Sequence, residues 1–203
     1  MSIFAKPHDS HTEPDLKVLF LHGLEGSPKG DKSIHLSKEY GAKTPGLRTQ
    51  KLRDLKGKVS SGRFQDAPKK QLKESFAPAY QDACDAVRFM KPDIIVGSSM
   101  GGAILAQMVL EGVWKGNCVF LAPAIENLLG NVSLPATSFL KNSVWVLGEL
   151  DQIVSNGPNI RHCQSVGGSL IVSPGDSHRL HLALEKGLID SAITTSIELS
   201  LHT

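Results

Sequence analysis

The sequence predicts an α/β protein: a three-layer α/β/α sandwich around a mostly parallel sheet of five or six strands. Short apolar runs bounded by turn residues recur along the chain, as at Ile94-Ile95-Val96, Cys118-Val119-Phe120-Leu121 and Val144-Trp145-Val146-Leu147. Strands buried on both faces read this way, without polar alternation. Helix-like stretches separate these runs, and that order puts helices on both sides of a parallel sheet. A length of 203 residues with 40% apolar side chains fits one domain with a somewhat lean core.

In chain order, Met1 to Asp15 is polar and is expected to be a flexible segment ahead of a single domain over residues 16–203. It has no apolar stretch able to serve as a signal peptide. A first strand ends at Phe20-Leu21 and runs into His22-Gly23-Leu24-Glu25-Gly26-Ser27-Pro28. A helix is predicted over Lys29–Tyr40. From Arg48 to Lys73 the basic residues Arg48, Lys51, Arg53, Lys56, Lys58, Arg63, Lys69, Lys70 and Lys73 face only two acids, Asp54 and Asp66. Glycines, serines and Pro68 break any long period there. The plain reading is a solvated surface connection; the functional one is a partial lid that steers anionic substrates.

Further helices are predicted over Glu74–Met90, Gly101–Trp114 and Ala183–Leu199. The strands expected between them are Asp93–Val96, Asn117–Leu121, Ser143–Gly148 and Ser169–Val172. Ile125 to Phe139 carries Leu128, Leu129, Val132, Leu134 and Phe139. It reads equally as one wall of an acyl pocket or as ordinary helix-and-loop packing.

The chemistry concentrates at Gly97-Ser98-Ser99-Met100-Gly101, which fits G-x-S-x-G with a strand before it and an apolar helix after it. Strand, sharp turn and helix form the context of a nucleophile elbow, with Ser99 at its tip. Glycines are needed because a Cβ beside the strained serine would strike the strand–helix crossing. The serine then sits at a helix N-terminus, where free N–H groups and the helix dipole favour a developing negative charge. Ser98 is rejected, because Val96 stands where its pattern needs glycine.

The partners follow in the order serine, acid, histidine, each in a loop after a strand. Asp151 is the candidate acid, with Glu149 and Asp176 as competitors. His178 is the candidate base, since it alone lies in the loop after the last strand and beyond the acid. His8, His11 and His202 fall near the termini, His22 at a strand end and His35 in a predicted helix. His162 precedes the last strand, and His181 lies three residues beyond His178, inside the next helix.

Phe20 to Pro28, Gly97 to Gly102, Gly148 to Val154 and Gly175 to Leu180 together resemble the α/β-hydrolase superfamily. Within it the chain is most similar to the small, lid-poor bacterial esterases of the YqiA-like kind. The resemblance implies a minimal version of that fold, without a large cap and without the usual first two strands. It implies an oxyanion hole from the backbone N–H groups of Leu24, the residue after the H-G pair, and Met100. It also places Ile125 to Phe139 where a cap is usually inserted, so that Leu128, Leu129 and Phe139 would bind substrate. The expected activity is cleavage of small carboxylic esters through an acyl-enzyme; thioester cleavage or acyl transfer on the same triad is the alternative.

Two other classes compete. Gly26-Ser27-Pro28-Lys29-Gly30-Asp31-Lys32-Ser33 nearly matches the phosphate loop G-x-x-x-x-G-K-[ST] after a strand. Asp31 replaces its glycine and puts a negative charge where backbone should wrap phosphate. A non-catalytic ligand-binding protein on the same scaffold is the other. A net charge of +2 predicts no general affinity for nucleic acid or membranes, and no run approaches the roughly 18 apolar residues of a membrane span. Cys84, Cys118 and Cys163 are odd in number and lack metal-ligand spacing, which predicts reduced thiols and a cytoplasmic protein. No metal or organic cofactor is expected.

Overall fold

The computed structural model describes residues 16–49 and 69–202. The segment 1–15 and most of the basic stretch between Arg48 and Lys73 lie outside the described residues, and the lid reading with them.

The sheet has five strands, all parallel, in the sequential order β1 (Val18–Leu21), β2 (Ile94–Ser98), β3 (Asn117–Leu121), β4 (Val144–Gly148) and β5 (Ser169–Ser173). Its register pairs Val18 with Ile94, Ile94 with Asn117, Val119 with Val144, and Val144 with Ser169. The possible sixth strand is reduced to one parallel bridge beside β1, between Leu19 and Lys43. There Phe20 N–H donates to Lys43 O at 2.9 Å and Lys43 N–H to Val18 O at 3.0 Å.

Every residue of β1, β2 and β4 is buried, so successive side chains feed two cores. Leu19, Leu21, Ile95, Phe120 and Trp145 pack on one face under α2 (Lys69–Met90), α3 (Met100–Leu110), α4 (Ile125–Leu129), α5 (Ser138–Lys141) and α6 (Asn156–Val166). Phe120 and Trp145 stack there with ring centroids 4.2 Å apart. Val18, Phe20, Ile94, Val96, Val119 and Val146 pack on the other face under α1 (Asp31–Tyr40), α7 (His181–Glu185) and α8 (Leu188–Leu201). These are the three layers that the doubly buried strands predict.

The structure departs from the sequence expectations at helix ends. The helix expected from Lys29 starts at Asp31, because Ser27 to Gly30 closes a turn in which Gly30 N–H donates to Ser27 O at 3.0 Å. α2 begins just after Pro68, five residues ahead of the predicted start. α3 stops at Leu110, short of Trp114, with Gly112 left-handed at φ 71°. The predicted Ala183–Leu199 helix is two helices broken at Gly187, whose φ of 67° no helix interior accommodates.

Candidate active site

The loops that hold Ser99, Asp151 and His178 leave the carboxyl ends of β2, β4 and β5, on one edge of the sheet, where open α/β sheets bind ligands. Ser99 joins β2 to α3 and holds φ 54° and ψ −113°, a strained conformation for a residue with a Cβ. Its N–H donates to Leu121 O at 2.9 Å, and its carbonyl accepts from Ala103 and Ala124 at 3.1 and 3.0 Å. The turn closes only because its flanks lack side chains. A Cβ on Gly97 would lie 2.7 Å from Gly101 O, one on Gly101 1.9 Å from Leu21 O, and one on Gly102 2.6 Å from the Pro123 Cβ.

The hydroxyl at the tip of this turn meets His178, and His178 in turn meets Asp151. Ser99 Oγ lies 2.9 Å from His178 Nε2, and His178 Nδ1 lies 2.7 Å from Asp151 Oδ2. With Nδ1–H donating to the carboxylate, Nε2 is free to accept the serine proton. The Asp151 carboxylate is fully buried. Its other oxygen, Oδ1, accepts the backbone N–H groups of Ile153 and Val154 at 2.8 and 2.9 Å. These two bonds fix the carboxylate and replace the water it has lost.

The rival residues have other work. Glu149 is exposed and accepts Gly175 N–H at 2.8 Å. Asp176 is buried within its own loop, taking bonds from Ser177 N–H, Ala183 N–H and the Ser173 hydroxyl. His35 pairs with Asp190 at 2.9 Å. His162 lies against the Trp145 ring, and its burial lowers its pKa. His22 is buried, donates from Nδ1 to Gly23 O at 2.8 Å and accepts Leu47 N–H at Nε2. Burial pushes the thiol of Cys118 up to about 12 and that of Cys163 to about 11, so neither is a ready thiolate.

Gly23 shows how close the loop after β1 comes to the serine. A Cβ there would stand 3.1 Å from the Ser99 Cβ and 3.6 Å from Oγ. The peptide that leads to Leu24 therefore runs along Ser99, while Met100 follows Ser99 at the first position of α3. Among the described residues no backbone hydrogen bond occupies the N–H of Leu24 or of Met100.

Leu128 and Leu129 on α4 and Phe139 on α5 are partly buried and pack against the core that holds Leu19, Ile95, Phe120 and Trp145. A neighbouring cleft between α4 and α6 is lined instead by Glu126, Asn127, Val154, Ser155, Pro158 and Asn159. α6, which forms one wall of this cleft, is not among the helices that the sequence predicts. Ser155 ahead of the helix, Pro158 in its first turn and left-handed Gly167 after it are the signals that could have found it.

The phosphate-loop resemblance dissolves in the structure. Its lysine, Lys32, donates to Arg179 O at 2.5 Å, and its serine, Ser33, donates to Ser27 O at 2.8 Å. Among the described residues no three His, Cys, Asp or Glu side chains gather as a metal site, and no helix is long and apolar enough to cross a membrane.

Comparison with solved structures finds the same architecture across nearly the whole chain. A protein of the α/β-hydrolase superfamily from Xanthomonas campestris pv. campestris aligns over 93% of this chain and 99% of its own, with a TM-score of 0.65 and 17% identity. The chain has the α/β-hydrolase fold. An alpha-beta serine hydrolase homologue from Coxiella burnetii shares that fold at 17% identity, over 92% and 86% of the two chains, with a TM-score of 0.58. So does Est1E from Butyrivibrio proteoclasticus, whose structure holds ferulic acid, at 14% identity over 91% and 92%, with a TM-score of 0.60. No protein-family profile and no curated protein matches the sequence. The α/β-hydrolase fold is thus carried here by a chain with little residue-level likeness to these neighbours.

Proposed function

We propose that the chain is a serine hydrolase that cleaves small carboxylic esters through an acyl-enzyme. The observation that carries this reading is the unbroken Asp151–His178–Ser99 relay, ending on a strained elbow. In the first half-reaction Ser99 Oγ attacks the ester carbonyl carbon while its proton passes to His178 Nε2. The carbonyl electron pair moves onto oxygen, which the N–H groups of Leu24 and Met100 receive. Each such donor contributes on the order of 3–4 kcal/mol in the transition state. The intermediate collapses, the alcohol leaves with the proton from Nε2, and the acyl group stays on Oγ. In the second half-reaction His178 takes a proton from water as that water attacks the acyl carbon. The acid departs, and Oγ recovers its proton. Asp151 stays ionised throughout; it holds Nδ1–H inward and stabilises the imidazolium.

Leu128, Leu129 and Phe139 serve in this proposal as an apolar wall beside the acyl group. Thioester cleavage, and transfer to an acceptor other than water, use the same atoms and form the alternative reading. Aryl esters and acyl thioesters of graded chain length test the proposal. Turnover of short aryl esters is expected, and Ser99→Ala should remove it. Retention of more than about a tenth of kcat in that variant would overturn the assignment, since loss of a triad serine costs orders of magnitude more.

A further inference from the structure

The lysine that imitates a phosphate loop ties together two loops of the site. Lys32 lies in the first turn of α1, directly after the loop from His22 to Gly30. That loop is fastened to itself and to α1: Gly26 N–H donates to Gly23 O at 2.9 Å, Gly30 N–H to Ser27 O at 3.0 Å, and Ser33 Oγ to Ser27 O at 2.8 Å. From α1 the Lys32 ammonium crosses to the other end of the sequence and donates to Arg179 O at 2.5 Å. Arg179 is the residue after His178.

On the other side of His178 stands Asp176, 2% exposed. It accepts Ser177 N–H at 2.9 Å, Ala183 N–H at 2.7 Å and the Ser173 hydroxyl at 3.1 Å. The histidine is therefore pinned from before and after. The segment needs pinning: Leu180, one residue beyond the lysine's acceptor, is held left-handed at φ 54°, a conformation that a branched side chain keeps only when its surroundings impose it. Burial pulls the Lys32 amine below the usual lysine value. Asp176 is the main opposing influence, helped by Asp31, while the Arg179 guanidinium adds to the lowering.

We propose that Lys32 is a positioning residue: it locks the His178 loop to the His22–Gly30 loop, and so fixes the distance between the base and the Leu24 oxyanion donor. The proposal rests on the serine-hydrolase reading for its kinetic consequence, but not for its structural one. Losing the tie lets base and donor drift apart, and misplacement by about 1 Å at a distance from the chemistry can cost about 100-fold. The effect falls on the transition state, where both groups must act at once, and not on ground-state binding.

The test uses the full chain and three readouts. Lys32→Met keeps the stem and removes the donors; Lys32→Arg restores a cationic donor. On a neutral aryl ester Lys32→Met should lower kcat by about 10- to 100-fold with KM held within about twofold, and Lys32→Arg should recover at least half of that loss on a logarithmic scale. In the proton NMR spectrum the wild-type chain should show a far-downfield His178 Nδ1–H resonance, from its short bond to Asp151. Lys32→Met should broaden or remove that resonance, while the melting temperature changes little. Should Lys32→Met yield no folded protein, Lys32→Leu, which also lacks a donor, gives the same comparison. An unchanged resonance, or a kcat within about threefold of wild type, would overturn the role of Lys32. If the wild-type chain neither turns over esters nor is labelled at Ser99, the hydrolase reading fails instead, and the resonance still decides for or against the tie.

Discussion

Replacing Asp151 by asparagine isolates the one thing its carboxylate does that a neutral amide cannot. In the folded chain Oδ1 accepts two backbone N–H groups and Oδ2 faces His178 Nδ1 at 2.7 Å. Asparagine can keep its oxygen on the two backbone donors. It must then present NH₂ to Nδ1, which forces Nδ1 to accept and moves the imidazole proton to Nε2. The nitrogen 2.9 Å from Ser99 Oγ becomes a donor and can no longer take the serine proton. A tautomer inverted in this way costs about 10⁴-fold in kcat where it has been isolated in a comparable triad. That is about 5 kcal/mol of barrier.

Stability should separate from activity. Asp151→Asn preserves the two backbone bonds and should hold the melting temperature within about 3 °C. Asp151→Ala abandons the N–H groups of Ile153 and Val154 and should cost about 2 kcal/mol, a fall of about 4–8 °C for a chain of this size. Steady-state kinetics on a short aryl ester, with melting curves for both variants, make the comparison. Less than a tenfold loss in Asp151→Asn, or an equal loss in Asp176→Asn with its fold intact, would refute this derivation.

Three further outcomes follow from the same geometry. Gly101→Ala would set a Cβ 1.9 Å from Leu21 O, between backbone segments that cannot both yield, so soluble folded protein should fall sharply in expression trials. Gly23→Ala meets the Ser99 Cβ at 3.1 Å, Ser98 O at 3.4 Å and Ser99 Oγ at 3.6 Å, none of them a backbone clash; kcat should drop about tenfold or more while the melting temperature moves little, and an unchanged kcat would place the oxyanion donor elsewhere. Cys118 is held protonated, with its pKa pushed up to about 12 by burial, so the unfolded chain loses that proton first as pH rises. The stability this contributes is complete below the ordinary thiol pKa and is lost on the way up to 12, amounting to about 2 kcal/mol between pH 8 and 10.5. Melting temperatures across that window should fall less steeply in Cys118→Val than in wild type.

The parts of this molecule that were legible in its sequence are those governed by one local rule. Asn117–Leu121 reads as a strand because it is apolar on both faces, and it is one to the residue. The elbow is readable because Gly97 and Gly101 have no alternative: the structure leaves no room for a Cβ at either. That Asp151 and His178 come together beside Ser99 is legible from chain order, each sitting in the loop after its strand. Harder were features where local signals conflict. α6 opens Asn156-Gly157-Pro158, which looks like a turn, although a proline in a first turn has no helical hydrogen bond to break. Its apolar stripe is thin, with Cys163 and Val166 its buried apolar members. The role of Lys32 was hidden for a different reason: its acceptor lies 147 residues away, and no spacing within the first loop points to it.

The proposed reaction depends above all on the nucleophilicity of one hydroxyl. A fluorophosphonate probe, followed by intact mass and peptide mapping, measures it without any assumption about substrate: Ser99 Oγ displaces fluoride from phosphorus and keeps the phosphonyl group. A single adduct on Ser99 is expected. It should form promptly in the wild-type chain, be absent in Ser99→Ala, and form far more slowly in His178→Ala. An adduct on Ser98 or elsewhere, or labelling that survives in Ser99→Ala, would contradict it.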